Sequence, residues 1–166
     1  FFRAEKEKLW PHVWQLAARL DSIPEVGDWV EYSNLGKSVL VVRTKDGVKA
    51  YNNHCRHRGV PVAGGKGNEH GNCAKTGFIC PFHGWRWNMD GDCTFVYGKH
   101  LFNQDLLADE DLKLRPVRTE VFGGEVYINF DNDAPPFREW IGPMADALEA
   151  RNMADLHAEW WYGTVL

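Results

Sequence analysis

Apolar and polar positions alternate in short bursts along most of this chain. Trp29-Val30-Glu31-Tyr32, Ser38 to Arg43 and Val48-Lys49-Ala50-Tyr51 are brief runs between turn signals, a pattern that predicts strands. Within the second, Val39-Leu40-Val41-Val42 predicts a buried strand. Asp46-Gly47 separates the last two runs and is the strongest short signal for a hairpin, which leads straight into Asn52-Asn53-His54-Cys55. Val13 to Leu20 predicts an earlier strand, with Pro24 and Gly27 marking the turn after it. Gly77-Phe78-Ile79, Trp85-Arg86-Trp87-Asn88 and Thr94 to Tyr97 read as short strands, with an Asp90-Gly91 turn joining the last two. Lys113 to Val121 and Glu125 to Phe130 form a final pair around Gly123-Gly124, and Pro116 inside the first argues for an edge or a bulge. Helical patterning is sparse. Arg3 to Trp10 forms a short helix that Pro11 ends, Pro143 opens a helical stretch through Met144, Leu148 and Met153, and Leu101 to Asp111 is polar and helical or irregular. The sum is an all-β domain of sandwich or small-barrel type with short flanking helices.

Asp131-Asn132-Asp133-Ala134-Pro135-Pro136 is the best boundary. It divides the chain into a helical extension over 1–11, the β domain over 12–134, and a linker with the start of a further domain over 135–166. The chain opens on Phe rather than Met and closes on Glu159-Trp160-Trp161-Tyr162-Gly163-Thr164-Val165-Leu166, which reads as a strand stopped midway. Natural termini tend to be polar and loosely held, so a fragment is expected. No apolar run approaches the ~18 residues of a membrane span, and the charged opening from Phe1 to Lys8 does not suit a signal peptide. A net charge of −4 gives no sign of a nucleic-acid partner.

The chemistry concentrates in Cys55-Arg56-His57-Arg58-Gly59 and Cys80-Pro81-Phe82-His83-Gly84-Trp85. Each stretch supplies one thiolate and one imidazole, as Cys-x-His and then Cys-x-x-His. A Rieske [2Fe–2S] centre needs two Cys on one iron and two His on the other, so each loop would give one ligand to each iron. The same four residues could make a tetrahedral zinc site, although zinc fingers usually group Cys with Cys and His with His. Gly59 and Gly84 would let the backbone approach an inorganic sulfide and point N–H groups at it. Of the four cysteines, Cys73 and Cys93 are left over, as thiols or as a pair; cytoplasmic residence fits best. His12, His54, His70, His100 and His157 have no partner at ligand spacing.

Cys55-x-His57-Arg58-Gly59 followed by Cys80-Pro-Phe-His83-Gly-Trp85 resembles the N-terminal Rieske domain of ring-hydroxylating oxygenase α subunits, from about Trp10 onward. One departure is that 22 residues separate His57 from Cys80, more than the family's usual spacer. The excess falls in Gly64 to Asn72, which reads as a surface loop. Cys73 lies nearer the usual place of the second cysteine, but Thr76 stands three residues on, so Cys80 with His83 is preferred. The resemblance implies a Rieske-type fold with a cluster-binding subdomain, and the low-potential class, since Val60 or Pro61 and Phe82 stand where high-potential members carry extra cysteines. It also implies a ferredoxin or a flavin/iron–sulfur reductase as electron donor and a homotrimeric or α3β3 enzyme. A non-haem Fe(II) site of two His and one carboxylate would lie in a C-terminal catalytic domain, whose truncated start is residues 135–166. Either His57 or His83 would face the neighbouring subunit. Arg58 is an interface ion-pair residue or a solvated charge, and Trp85 a cover for the cluster or plain core. The alternative is a stand-alone Rieske ferredoxin with no catalytic site.

Overall fold

The computed structural model describes residues 1–67, 69–107 and 109–156. Its largest element is a seven-stranded antiparallel sheet formed by β1 (Gln15–Arg19), β2 (Asp28–Asn34), β3 (Lys37–Thr44), β4 (Gly47–Asn52), β5 (His70–Asn72), β9 (Pro116–Phe122) and β10 (Glu125–Asn129). The spatial order is β1-β10-β9-β4-β3-β2-β5. Between β5 and β9 the chain builds a small sheet of β6 (Phe78–Ile79), β7 (Arg86–Trp87) and β8 (Cys93–Phe95).

One interior strand, β3, explains the architecture. Successive side chains of β3 point to opposite faces, so its apolar run feeds two cores. Val39 and Val41 pack with Ile23, Ala50, Val117, Val126 and Ile128. Leu40 and Val42 pack on the other side with Tyr51, Cys55, Cys80, Trp85 and Trp87. The large sheet curls into a half-barrel around the first core, and Tyr32 of β2 donates to Gln15 Oε1 of β1 at 2.9 Å across the opening. The small sheet and the loops beside it cover the second face.

The strands expected between Val13 and Phe130 are all present, with instructive shifts. Thr44 pairs with Gly47, so the hairpin loop is Lys45-Asp46, one residue earlier than the Asp-Gly pattern suggests. Neither loop residue has positive φ; Gly47, at +133°, absorbs the twist instead. The β2–β3 turn is the primed type, with Leu35 and Gly36 at φ +51° and +79°. β9 is not an edge strand, because β10 and β4 flank it; Pro116 is tolerated as its first residue. The stretch from Gly64 to Asn72 is only partly a surface loop, since His70–Asn72 form β5 and pair with β2. Gly71 opposes Trp29 there, and a Cβ on it would come within 2.9 Å of the indole.

The helices are short: α1 (Phe2–Lys8), α2 (Asp109–Leu112), α3 (Phe137–Ile141) and α4 (Met144–Glu149). Pro11 sits inside a 3₁₀ turn after α1 rather than terminating α1 directly. The segment from Asp131 to α3 lies against the sheet. Arg118 donates to the carbonyls of Asn132 and Ala134, the Phe137 N–H donates to Glu120, and the Phe137 ring stacks on Tyr127 at 3.7 Å between centroids. The strand expected over Glu159–Leu166, and His157, lie outside the described residues.

Candidate metal centre

Two loops with the same backbone design meet over the second core. In the first, the Cys55 N–H donates to Val60 O and the Gly59 N–H to Cys55 O, both at 2.8 Å. In the second, the Cys80 N–H donates to Trp85 O at 2.8 Å and the Gly84 N–H to Cys80 O at 3.0 Å. Each loop is thus a five-residue turn from Cys to Gly, closed by the residue after it. The glycines stand at φ +74° and +71°, a left-handed geometry that glycine adopts without steric cost. Their N–H groups are spent on these turns, so the expectation that they point at a sulfide is corrected. Beyond the adjoining residues, no atom of the described residues lies within 4 Å of a Cβ built on either; left-handed φ is what asks for glycine here.

The turns bring the four donors together as two pairs. Cys55 and Cys80 are 5% and 2% exposed, and the two thiols lie near enough for Cys80 to raise the Cys55 thiol's pKa. The imidazoles of His57 and His83 lie 4.8 Å apart, centroid to centroid. Burial pushes the Cys55 thiol up; the N–H groups of His57 and Arg58, aimed at its sulfur, work against that, and Cys80 reinforces it. A buried thiolate of this kind calls for a cation, and a coordinated metal deprotonates it outright. His57 is held below the usual imidazole value by burial first, then by His83 and Arg58, which favours the neutral ring that binds metals.

The decisive atom is Nδ1 of His57. It is buried and has no hydrogen-bond partner, where a buried polar atom is normally satisfied. A metal at Nδ1 removes that penalty, so the donor set fits a bound iron. The four side chains stand as a thiol pair and an imidazole pair, the donor set that a two-iron cluster with two Cys and two His uses.

Aromatic rings wall the site. Trp85 is 3% exposed and stacks flat on His57, 5.0 Å between centroids and 6° between planes. It is both a cover for this imidazole and part of the core, joined to Trp87. Phe102 closes edge-on against both His57 and Trp85; it lies in the polar stretch after Leu101, where no periodicity announced it. Phe82 lies against His83 at 4.0 Å and is half exposed. The strap around α2 locks the loops from below: Arg56 Nε donates to Asp111 O at 2.9 Å and Trp87 Nε1 to Leu112 O at 2.7 Å.

The remaining side chains fall outside the donor cluster. The Arg58 side chain is exposed and makes no ion pair within this chain among the described residues, while its backbone N–H faces the Cys55 sulfur. Cys73 is buried in its own Cys-to-Gly turn, closed by the Gly77 N–H at 2.8 Å, and burial pushes its thiol up to about 11. The Cys93 sulfhydryl lies 3.8 Å from Phe95 O. His54 is exposed beside Cys55, and His12 pairs with Asp131 at 2.8 Å.

Known proteins place the chain. A model of the Rieske [2Fe-2S] domain matches residues 13–100. Over 151 residues the chain is 31% identical to the carnitine monooxygenase oxygenase subunit of Escherichia coli K12, covering 90% of this chain and 38% of that one. The large oxygenase component of the Pseudomonas putida naphthalene 1,2-dioxygenase system is 34% identical over 151 residues, covering 89% and 32%. Among solved structures, naphthalene 1,2-dioxygenase from Rhodococcus sp. bound to indole superposes with a TM-score of 0.80 at 28% identity, covering 89% of this chain and 33% of that one. The chain therefore spans about a third to two-fifths of the length of these relatives.

Proposed function

The chain belongs to the Rieske [2Fe-2S] domain family, and from that premise we propose that Cys55 and Cys80 hold one iron and His57 and His83 the other. The reading rests above all on the orphaned Nδ1 of His57 beside the Cys55–Cys80 pair. When bound, a cluster of this kind supplies reversible one-electron chemistry. The chain's own residues do the rest. His57 and Arg58 direct N–H groups at the Cys55 sulfur, stabilising it in the charged form. Trp85 and Phe102 keep water from His57. The paired turns, Gly59 on Cys55 and Gly84 on Cys80, fix the donor geometry so that little has to rearrange when charge arrives.

Residues 12–134 act as the electron-transfer module of a larger oxygenase α subunit, with 1–11 a helical extension and 135–166 the link to a catalytic domain. The relatives carry the oxygenase names; for the whole protein we infer O₂-dependent hydroxylation at a non-haem Fe(II) site outside this chain. A trimeric assembly, alone or as α3β3, would let one of the two histidines face a neighbouring subunit. Electrons come from a ferredoxin or a flavin/iron–sulfur reductase. Lys37, His54, Arg56 and Arg115 line a groove of about 420 Å³ beside Cys55 and Gly59, with no carboxylate in its lining among the described residues, which suits a donor with an acidic face. No helix among the described residues is long and apolar enough to cross a membrane, and we place the protein in the cytoplasm.

The intact mass of the polypeptide from its native host separates this reading from a stand-alone electron carrier. The oxygenase reading expects more than twice the 19.0 kDa of this chain. A mass near 19.0 kDa would make the protein a carrier without a catalytic site.

A further inference from the structure

The two ligand loops are alike at their tips and unlike at their bases. The second is the tip of a hairpin: Phe78 pairs with Trp87 and Ile79 with Arg86 immediately below Cys80–Trp85, so ladder hydrogen bonds hold its two arms together. The first has no such ladder. Its incoming arm leaves β4 at Asn52, and its outgoing arm, Pro61 to Ala63, belongs to no strand.

One side chain takes the place of the missing ladder. Asn53 is fully buried, and its Oδ1 accepts from the N–H groups of Val62 at 2.8 Å and Ala63 at 3.3 Å. Its Nδ2 donates to Ala63 O at 2.6 Å. A carboxamide presenting an acceptor and a donor to successive backbone groups does what a paired strand would do. Nδ2 also donates to Ser38 Oγ at 3.0 Å, and Ser38 donates in turn to Glu31 Oε1 at 2.6 Å. Glu31, 4% exposed, anchors the rest of the outgoing arm, because its Oε2 accepts from the N–H groups of Gly65 and Gly67, each at 3.0 Å. The extra length between the ligand pairs is thus wrapped around a buried carboxylate.

We infer that Asn53 is a positioning residue for the Cys55–His57 half of the centre, with Ser38 and Glu31 as its buttress. The inference rests on the assignment of Cys55, His57, Cys80 and His83 as cluster ligands. Asn53 touches no donor atom of the centre; it fixes both ends of the loop that carries two of them. Groups just outside the ligands commonly set metal affinity within 10–100-fold.

The test uses the cluster-loaded protein with its native flanking sequence, comparing wild type, Asn53→Ala and Glu120→Ala. The last removes the acceptor of the Phe137 N–H, far from the loops, and reports plain destabilisation. Iron release to a chelator and the paramagnetic resonance of the reduced protein are read for each. Asn53→Ala is expected to release iron about 10–100-fold faster and to change the resonance line shape, with Glu120→Ala matching wild type in both. Asn53→Asp keeps the acceptor for Val62 and Ala63 and should fall between; Ser38→Ala, which spares the clasp, should shift both readings the same way but less. If Asn53→Ala does not fold, these two milder variants carry the comparison. Release within twofold of wild type and an unchanged line shape in the folded Asn53 variants would overturn the inference, as would equal effects in Glu120→Ala. A wild-type protein that binds no iron would instead sink the ligand assignment itself.

Discussion

Glu31→Gln removes a buried charge from β2, next to the sheet edge, while keeping the side chain's shape. Burial alone would raise the Glu31 carboxyl, but the Ser38 hydroxyl and the N–H groups of Gly65, Gly67 and Glu69 outweigh it and hold the group below the ordinary glutamate value. Glutamine can still accept on one side, but its NH₂ cannot accept from Gly65 and Gly67 if it takes the Oε2 place. Hydrogen bonds to charged groups contribute about 1.5–3 kcal/mol each, so losing the two from Gly65 and Gly67 should cost about 3–6 kcal/mol at neutral pH. For a chain of this size that is a fall in Tm of roughly 6–24 °C. The pH dependence is the sharper signature. The folded value lies below the unfolded one, so the ionised carboxylate's contribution is fully present above about pH 4.5 and is lost as pH falls through the folded value. Thermal unfolding of wild type and variant from pH 7 down to pH 3 should show a gap that narrows below about pH 4.5. A gap that is absent at pH 7, or that stays constant to pH 3, would refute the reasoning.

Three other perturbations probe separate parts of the account. Cys80→Ser should abolish cluster binding while Cys73→Ser leaves iron and sulfide content unchanged, measured on the purified proteins; loss of iron in the Cys73 variant would undo the choice between the two cysteines. Trp85→Ala strips the flat cover from His57 and should destabilise by about 3–5 kcal/mol and speed bleaching of the visible absorbance in air; an unchanged bleaching rate would show that the indole does not shield the site. Phe137→Ala empties the aromatic nest formed with Trp14, Phe122 and Tyr127 and should cost about 3–5 kcal/mol. It should also expose 131–136 to proteolysis, whereas unaltered cleavage would mean that this segment is not held by the ring.

The strands and the ligand pairs were legible for simple reasons. A run such as Val39 to Val42 is costly to leave in water, and Cys-x-His with Cys-x-x-His carries its own ligand logic. Membership of the Rieske [2Fe-2S] domain family agrees with the fold. What escaped reading depended on contacts between segments distant in sequence. Glu31 sits in an alternating strand and passes for a solvent-facing charge; only the partners it meets, thirty-odd residues on at Gly65 and Gly67, make it a buried anchor. The glycines of Gly64-Gly65-Lys66-Gly67 were the available signal, since left-handed backbone lets successive N–H groups converge on an anion. All three stand at positive φ, and a Cβ on Gly64 would lie 2.7 Å from Glu31 Oε2. Nothing in Asn52-Asn53-His54-Cys55 singled out Asn53, because a clasp is visible only when both arms are in place. Phe102 was lost among polar neighbours for the same reason, as its partners His57 and Trp85 lie far back in the chain. The Lys45-Asp46 loop shows the limit of turn rules: Asp-Gly was in view, but the register of β3 and β4, set by burial of Leu40 and Tyr51, moved the turn by one residue.

The most direct test of the centre itself is the composition and magnetic resonance of the dithionite-reduced protein, with couplings read for nitrogen. The ligand assignment predicts about two iron and two acid-labile sulfides per chain, with two inequivalent imidazole nitrogens coupled to the reduced cluster and one coupling lost in His57→Cys. A single zinc without sulfide, or a reduced cluster with no nitrogen coupling, would contradict it.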